Sequence, residues 1–175
     1  MSSKNLFLLG LLGPVVALNA YSETYMSEQQ AVSDLFPSGS FEKVTLPLSP
    51  EDVTAIEKKS GENVRNKSVV VYKNKNKDAV FIDQVLGKHD FITYALGITA
   101  EGKVKGFEIL EYRESYGQQV RLPDWKNQFT GKDTSATLKV NKDIKNISGA
   151  TLSSVHMTGG IRRMLQTYDA IRTQL

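Results

Sequence analysis

Between Ser68 and Glu111 the chain lays down four apolar, β-branched or aromatic runs, separated by connections too short for anything but hairpins. Ser68 to Tyr72, Ala79 to Leu86, Phe91 to Ile98 and Val104 to Glu111 read as strands. Asn74 to Lys77, Gly87 to Asp90 and Ala100 to Gly102 supply turn residues between them. Parallel neighbours need a crossover of a dozen residues or more, so these strands run antiparallel. Lys73, Lys75 and Lys77 alternate with Asn74 and Asn76 at the first connection, which reads as a solvated turn rather than an interaction patch.

Helical signals flank the strands, so the expected fold class is α+β: a mainly antiparallel sheet with flanking helices. Met26 to Phe36 is expected to be a short helix, with Ser27 as its cap and Gln30 at the capping-box position, ended by Pro37-Ser38-Gly39-Ser40. A second helix runs from Pro50 to about Lys59. Ser49 caps it, Glu51 and Asp52 suit its positive end, and Gly61 stops it. Pro123 to Phe129 reads as a third, stopped by Gly131, and Ser135 to Val140 as a brief strand.

The last helix starts near Thr151 or Leu152 and runs towards Thr173. Ile161, Met164, Leu165, Tyr168 and Ile171 form its apolar face, with Arg162, Arg163 and Arg172 on the others. Gly159-Gly160 within it costs about 1 kcal/mol per glycine relative to alanine. Either close packing against a strand or a bound ring, or a defect the core tolerates, accounts for the pair.

A length of 175 residues fits one domain. The expected organisation is a signal peptide over residues 1–20, an N-terminal helical segment over 21–66 and the main domain over 67–175. Lys4, the apolar run Leu6 to Leu18 and the small residue Ala20 have the layout of a secretory signal. The thirteen residues of that run are short against the ~20 that cross a bilayer. Export with cleavage after Ala20 is the expectation, with an uncleaved inner-membrane anchor as its alternative.

The chain contains no cysteine, which excludes disulfides, thiolate metal sites, iron–sulfur clusters and lipoprotein anchoring. His89 and His156 stand far apart with no acidic cluster beside either, so no metal site is expected. The net charge of +3 comes without a basic stripe interleaved with aromatics, so no nucleic-acid partner is expected.

The chemistry-bearing motif is Ser148-Gly149-Ala150-Thr151, followed by Leu152-Ser153-Ser154 and the last helix. A helix start carries unpaired N–H groups and the positive end of the macrodipole, and so stabilises a phosphate. Gly149 and Ala150 allow close approach, Thr151 offers a hydroxyl for esterification, and Ser148, Ser153 and Ser154 offer further hydroxyls. The competing reading is an ordinary N-cap.

Ile147 to Ser154 resembles the flavinylation motif of the FMN-binding domain family, which includes the covalent-FMN subunits of the sodium-pumping NADH:quinone oxidoreductase and of Rnf complexes. Gly102 to Gly117 looks like that family's strand and Glu-containing loop, and Trp125 to Lys132 like its aromatic segment. The resemblance covers about residues 87 to 165. It implies that residues 67–175 form an FMN-binding domain, that FMN is the cofactor, and that a flavin transferase joins its phosphate to Thr151. The backbone at Leu152, Ser153 and Ser154 would then hold the phosphate, and Tyr112, Glu114, Tyr116, Trp125 and Phe129 are the candidates for the ring's surroundings. One position departs from the pattern: the residue three before the motif serine, often acidic in the family, is Lys145, with the nearest acid at Asp143.

No general base, nucleophile or substrate constellation accompanies the motif. The leading functional expectation is therefore an exported flavoprotein relaying electrons between a membrane-bound donor and a periplasmic or extracellular acceptor. A flavin-dependent reductase with its own small acceptor, and a non-redox module that binds no flavin, stand as alternatives.

Overall fold

The computed structural model describes residues 23–113 and 117–175, so the expected signal segment, Glu114 and Tyr116 lie outside the described residues. The elements in chain order are β1 (Glu23–Thr24), α1 (Glu28–Leu35), β2 (Glu42–Pro47), α2 (Pro50–Ser60), β3 (Ser68–Lys73), β4 (Ala79–Leu86), β5 (Phe91–Ile98) and β6 (Val104–Tyr112). A 3-10 turn (Gln118–Arg121), α3 (Pro123–Lys126) and α4 (Thr151–Ile171) complete them.

Five long strands and the two-residue β1 form one sheet in the order β1-β6-β5-β4-β3-β2, antiparallel throughout. The α+β expectation holds, and each connection from β3 to β6 is the hairpin that the turn residues predict. At the β3–β4 turn the Asn74 Oδ1 accepts from the N–H groups of Asn76 and Asp78, while Lys77 takes φ +70°. Gly102 takes φ +81° in the β5–β6 turn, a conformation that only glycine adopts without penalty.

The caps read from sequence also form. Ser27 Oγ accepts from Gln30 N–H, and Ser49 and Asp52 make a reciprocal capping box. Gly61 ends α2 at φ +72°.

Helix α4 packs with α2 on one face of the sheet, and α1 covers β5 and β6 on the other. The larger core lies beneath α4, where Met157, Ile161, Leu165 and Tyr168 meet Phe81, Tyr94, Leu96 and Ile98. Each such side chain contributes about 1.5–3 kcal/mol by leaving water. The smaller core joins Ala31, Val32 and Leu35 of α1 to Val80, Ala95 and Leu110.

Three local expectations are corrected. First, residues 21–66 are not wholly helical: β2 pairs with β3 from Glu42↔Lys73 to Pro47↔Ser68 and closes one edge of the sheet. Second, Ser135 to Val140 is turn and irregular chain with a single bridge, Val140↔Ile144. Positive φ at Leu138 and Asn141 breaks any strand there, and the Asp143 carboxylate accepts from the N–H groups of Leu138 and Lys139 instead. Third, Arg163 does not face solvent. It is buried and its guanidinium donates to Asp83 of β4 at 2.6 Å. Burial alone would lower its pKa, but the Asp83 carboxylate outweighs that and raises it.

The Gly159-Gly160 pair is explained by packing. A Cβ on Gly160 would stand 2.5 Å from Val85 Cγ1 and 2.8 Å from the Tyr94 hydroxyl, and one on Gly159 would meet the Glu62 carboxylate.

Candidate functional site

The motif forms a tight turn that delivers the chain into α4. The Ala150 N–H donates to Ile147 C=O at 3.0 Å, and Gly149 takes φ +79° with nothing within 4 Å of where a side chain would begin. Ala150 is the N-cap residue and contributes no side-chain bond. The first helical bond runs from Ser154 N–H to Ala150 C=O, so the N–H groups of Thr151, Leu152 and Ser153 precede it. The ordinary N-cap reading of Ser148 is therefore not what forms: the serine is exposed one turn upstream, and α4 begins with no side-chain cap.

The expected hydroxyl donors divide by burial. Ser154 is fully buried and donates its hydroxyl to Ala150 C=O at 3.0 Å. Ser153 is buried too, its Oγ 3.3 Å from the Tyr112 hydroxyl. Both side chains point into the core, as their spacing from Met157 dictates. Of the three serines only Ser148 remains exposed beside Thr151, so Ser153 contributes backbone and not its hydroxyl.

Gly117, at φ +92°, closes over the same point. A Cβ there would lie 2.6 Å from both Ser153 Oγ and the Tyr112 hydroxyl. Gly117, which leads into the 3-10 turn, thus lies against the first turn of α4.

Trp125 and Phe129 lie in the core, not on the surface beside the motif. With Phe107 they form an edge-to-face cluster, the Trp125 and Phe129 ring centroids 4.9 Å apart. Trp125 still reaches the site through its polar edge: the indole N–H donates to Lys145 C=O at 2.9 Å. Gln128 Oε1 accepts from Lys145 N–H at 2.7 Å. Both backbone groups of Lys145 are thereby held from α3 and the turn after it, while the Lys145 side chain is exposed.

Gln128 and Asn146 are missed by the motif. Asn146 Nδ2 donates to Thr151 Oγ1 at 3.0 Å. Its sequence signal is a short amide side chain just before a Ser-Gly turn, positioned to reach back across it. The apolar surface beside the acceptor also goes unread: Leu152 and Val155, both exposed, flank Thr151 along α4.

Asp143 steadies the approach to this segment. Burial pushes its pKa up, but the N–H groups of Lys139 and Leu138 and the Lys132 ammonium outweigh it and hold the carboxyl below its ordinary range. His156 is tied to the sheet rather than to the site, its Nδ1 2.5 Å from Leu86 C=O. Among the described residues no cluster of acidic and imidazole groups has the makings of a metal site.

These residues suit a phosphate. The helix start is uncapped, its first N–H groups are unused by the helix, and the glycine turn leaves open space above it. An antiparallel sheet with such a helix start laid across it defines a domain that can hold a phosphate-bearing cofactor. Residues 87–166 match the FMN-binding domain, so the chain carries that domain and FMN is its cofactor.

The chain is also similar to whole proteins, each one a component of a larger redox complex. It is 32% identical over 82 residues to a component of the Na(+)-translocating ferredoxin:NAD(+) oxidoreductase complex of Acetobacterium woodii, covering 42% of this chain and 40% of that relative. It is 25% identical over 196 aligned residues to a component of the ion-translocating oxidoreductase complex of Pseudomonas aeruginosa, covering 98% of this chain and 91% of that relative. The chain therefore spans less than half of the first relative and most of the second.

Proposed function

We propose that this protein is an exported electron-transfer subunit whose FMN is joined through its phosphate to Thr151, and that it serves an ion-translocating oxidoreductase complex like those of its relatives. The observation that carries the reading is the uncapped start of α4, with the exposed Thr151 hydroxyl beside backbone N–H groups that the helix does not use. A flavin transferase is the partner that makes the link. A membrane-bound donor and an acceptor in the periplasm or outside the cell are the redox partners.

Bound there, FMN supplies reversible one- and two-electron chemistry, and the protein supplies position and surroundings. The N–H groups of Thr151, Leu152 and Ser153 and the helix dipole hold the phosphate. Gly149 keeps the approach open. Leu152 and Val155 offer apolar surface within reach of a ring tethered at residue 151. Esterification at the phosphate end leaves the ring's redox atoms untouched, and a covalent link retains the cofactor where no cytoplasmic pool can replenish it.

Coexpression with a flavin transferase tests the attachment. After denaturing electrophoresis the wild-type band is expected to fluoresce under ultraviolet light and the Thr151→Ala band to stay dark. A fluorescent alanine variant would move the link elsewhere, and a dark wild-type band from folded protein would leave FMN held without a bond. Export is tested by N-terminal sequencing of protein from the native envelope, where a start at Tyr21 is expected; an intact Met1 in the membrane fraction would identify an anchor.

A further inference from the structure

We infer that Asn146 is a positioning residue for flavin attachment, setting the Thr151 hydroxyl for phosphoryl transfer; this rests on Thr151 being the acceptor. Asn146 Nδ2 donates to Thr151 Oγ1 at 3.0 Å, although both residues are exposed and neither side chain is fixed by core packing. What fixes the amide is the backbone before it. The Trp125 indole N–H holds Lys145 C=O and the Gln128 amide oxygen holds Lys145 N–H. Trp125 is itself locked between Phe107 and Phe129. The Ile147–Ala150 turn then brings residue 151 back beneath residue 146.

The bond has a direction that matters to the chemistry. An amide N–H can only donate, so Thr151 Oγ1 accepts from Asn146 and keeps its own proton for the transfer. In the transfer, the bond from Oγ1 to the flavin-side phosphorus of a flavin dinucleotide forms as the phosphoanhydride breaks. AMP leaves, and the hydroxyl proton passes to a base of the transferase or to water. No electron changes hands. As the proton departs, charge develops on Oγ1, and an amide already aimed at that atom stabilises it without rearrangement.

The same arrangement gives Lys145 a defined part. Its backbone is the clamp point, whereas among the described residues its exposed side chain makes no hydrogen bond or ion pair with the arrangement. The side chain is therefore not what holds the acceptor.

The test uses the full chain with a purified flavin transferase, magnesium and flavin adenine dinucleotide. Covalent flavin is counted by intact mass while the concentration of acceptor protein is varied. Asn146→Ala is expected to lower kcat about three- to tenfold, the worth of one neutral hydrogen bond, with KM changed less than about twofold and the melting temperature unchanged. Asn146→Gln, which keeps the amide donor, is expected to recover part of the loss, and Lys145→Ala to stay within about twofold of wild type. An unchanged kcat in Asn146→Ala overturns the inference while leaving Thr151 as the acceptor. So does an equal loss in the alanine and glutamine variants, or a loss confined to KM. A wild-type chain that takes up no covalent flavin while folded overturns the acceptor assignment itself, and this inference with it.

Discussion

Gly160 and Gly149 look alike in sequence and ask for opposite things. At Gly160 the backbone is ordinary helix and the constraint is space, since a methyl group would strike Val85 and Tyr94. At Gly149 space is free and the constraint is the backbone, at φ +79°. Gly160→Ala gains about 1 kcal/mol of helix propensity. Overpacking against the sheet costs about 1–3 kcal/mol, and because both obstructing atoms belong to buried residues the cost is expected to win. Gly149→Ala is expected to cost about 1–2 kcal/mol through backbone strain alone. Denaturant titration of both variants checks this. A Gly160→Ala protein more stable than wild type would mean that α4 can lift from β4 and β5 without penalty.

At the scale of elements, the segment from Leu138 to Ile144 is held by one carboxylate where a strand would be held by a ladder. Asp143 accepts from two backbone N–H groups and pairs with Lys132. Its folded pKa lies below the ordinary 3.8, so it stabilises the fold fully above that value, and the contribution is lost as pH falls through the folded value. Hydrogen exchange at the Leu138 and Lys139 amides is accordingly expected to accelerate in Asp143→Asn at neutral pH, and in the wild type only under strongly acidic conditions. Unchanged protection in the variant would assign the segment's order to packing of Leu138 and Ile144 instead. This segment also shows where sequence stops informing. The hairpins from β3 to β6 are legible because Asn74, Gly87 and Gly102 mark turns that strands of matched length must share. The brief strand over Ser135 to Val140 fails because nothing in its composition reveals the positive φ of Leu138. Strand β2 escapes notice because Glu42 to Pro47 is a short, half-exposed edge that itself ends in proline, and its partner is fixed by tertiary pairing. The motif's place at the head of α4 is legible, since Gly149 and the apolar periodicity locate the helix start. The burial of Ser153, Ser154, Trp125 and Phe129 is not, because which way a hydroxyl or a ring points depends on the layer it meets.

Across the whole molecule, a buried charge pair ties α4 to the sheet some three turns beyond the acceptor. Arg163 lies twelve residues beyond Thr151, about 18 Å along the helix axis. Its guanidinium meets the Asp83 carboxylate of β4 at 2.6 Å, and the Tyr94 hydroxyl of β5 donates to the same oxygen at 2.6 Å. Tyr94 is driven well above its ordinary pKa, by burial first and by the Asp83 charge second, so it remains a donor at any working pH. Removing Asp83 strands a buried guanidinium, and Asp83→Ala is expected to destabilise by about 3–5 kcal/mol. Arg163→Met leaves Asp83 with its tyrosine donor and is expected to cost less, about 1–3 kcal/mol. Replacing both, as Asp83→Leu with Arg163→Met, exchanges the pair for apolar contact and is expected to recover most of the loss. Denaturant midpoints at constant slope measure all three. Single variants within about 1 kcal/mol of wild type would show that water reaches the pair. Flavin attachment provides the complementary measurement. The loop that presents Thr151 is clamped from α3 through Lys145, not from β4, so the folded fraction of each variant is expected to take up covalent flavin at the wild-type rate. A slowed rate in the double variant, stable yet lacking the pair, would mean that the acceptor's geometry depends on how α4 is seated on the sheet as well as on the turn before it.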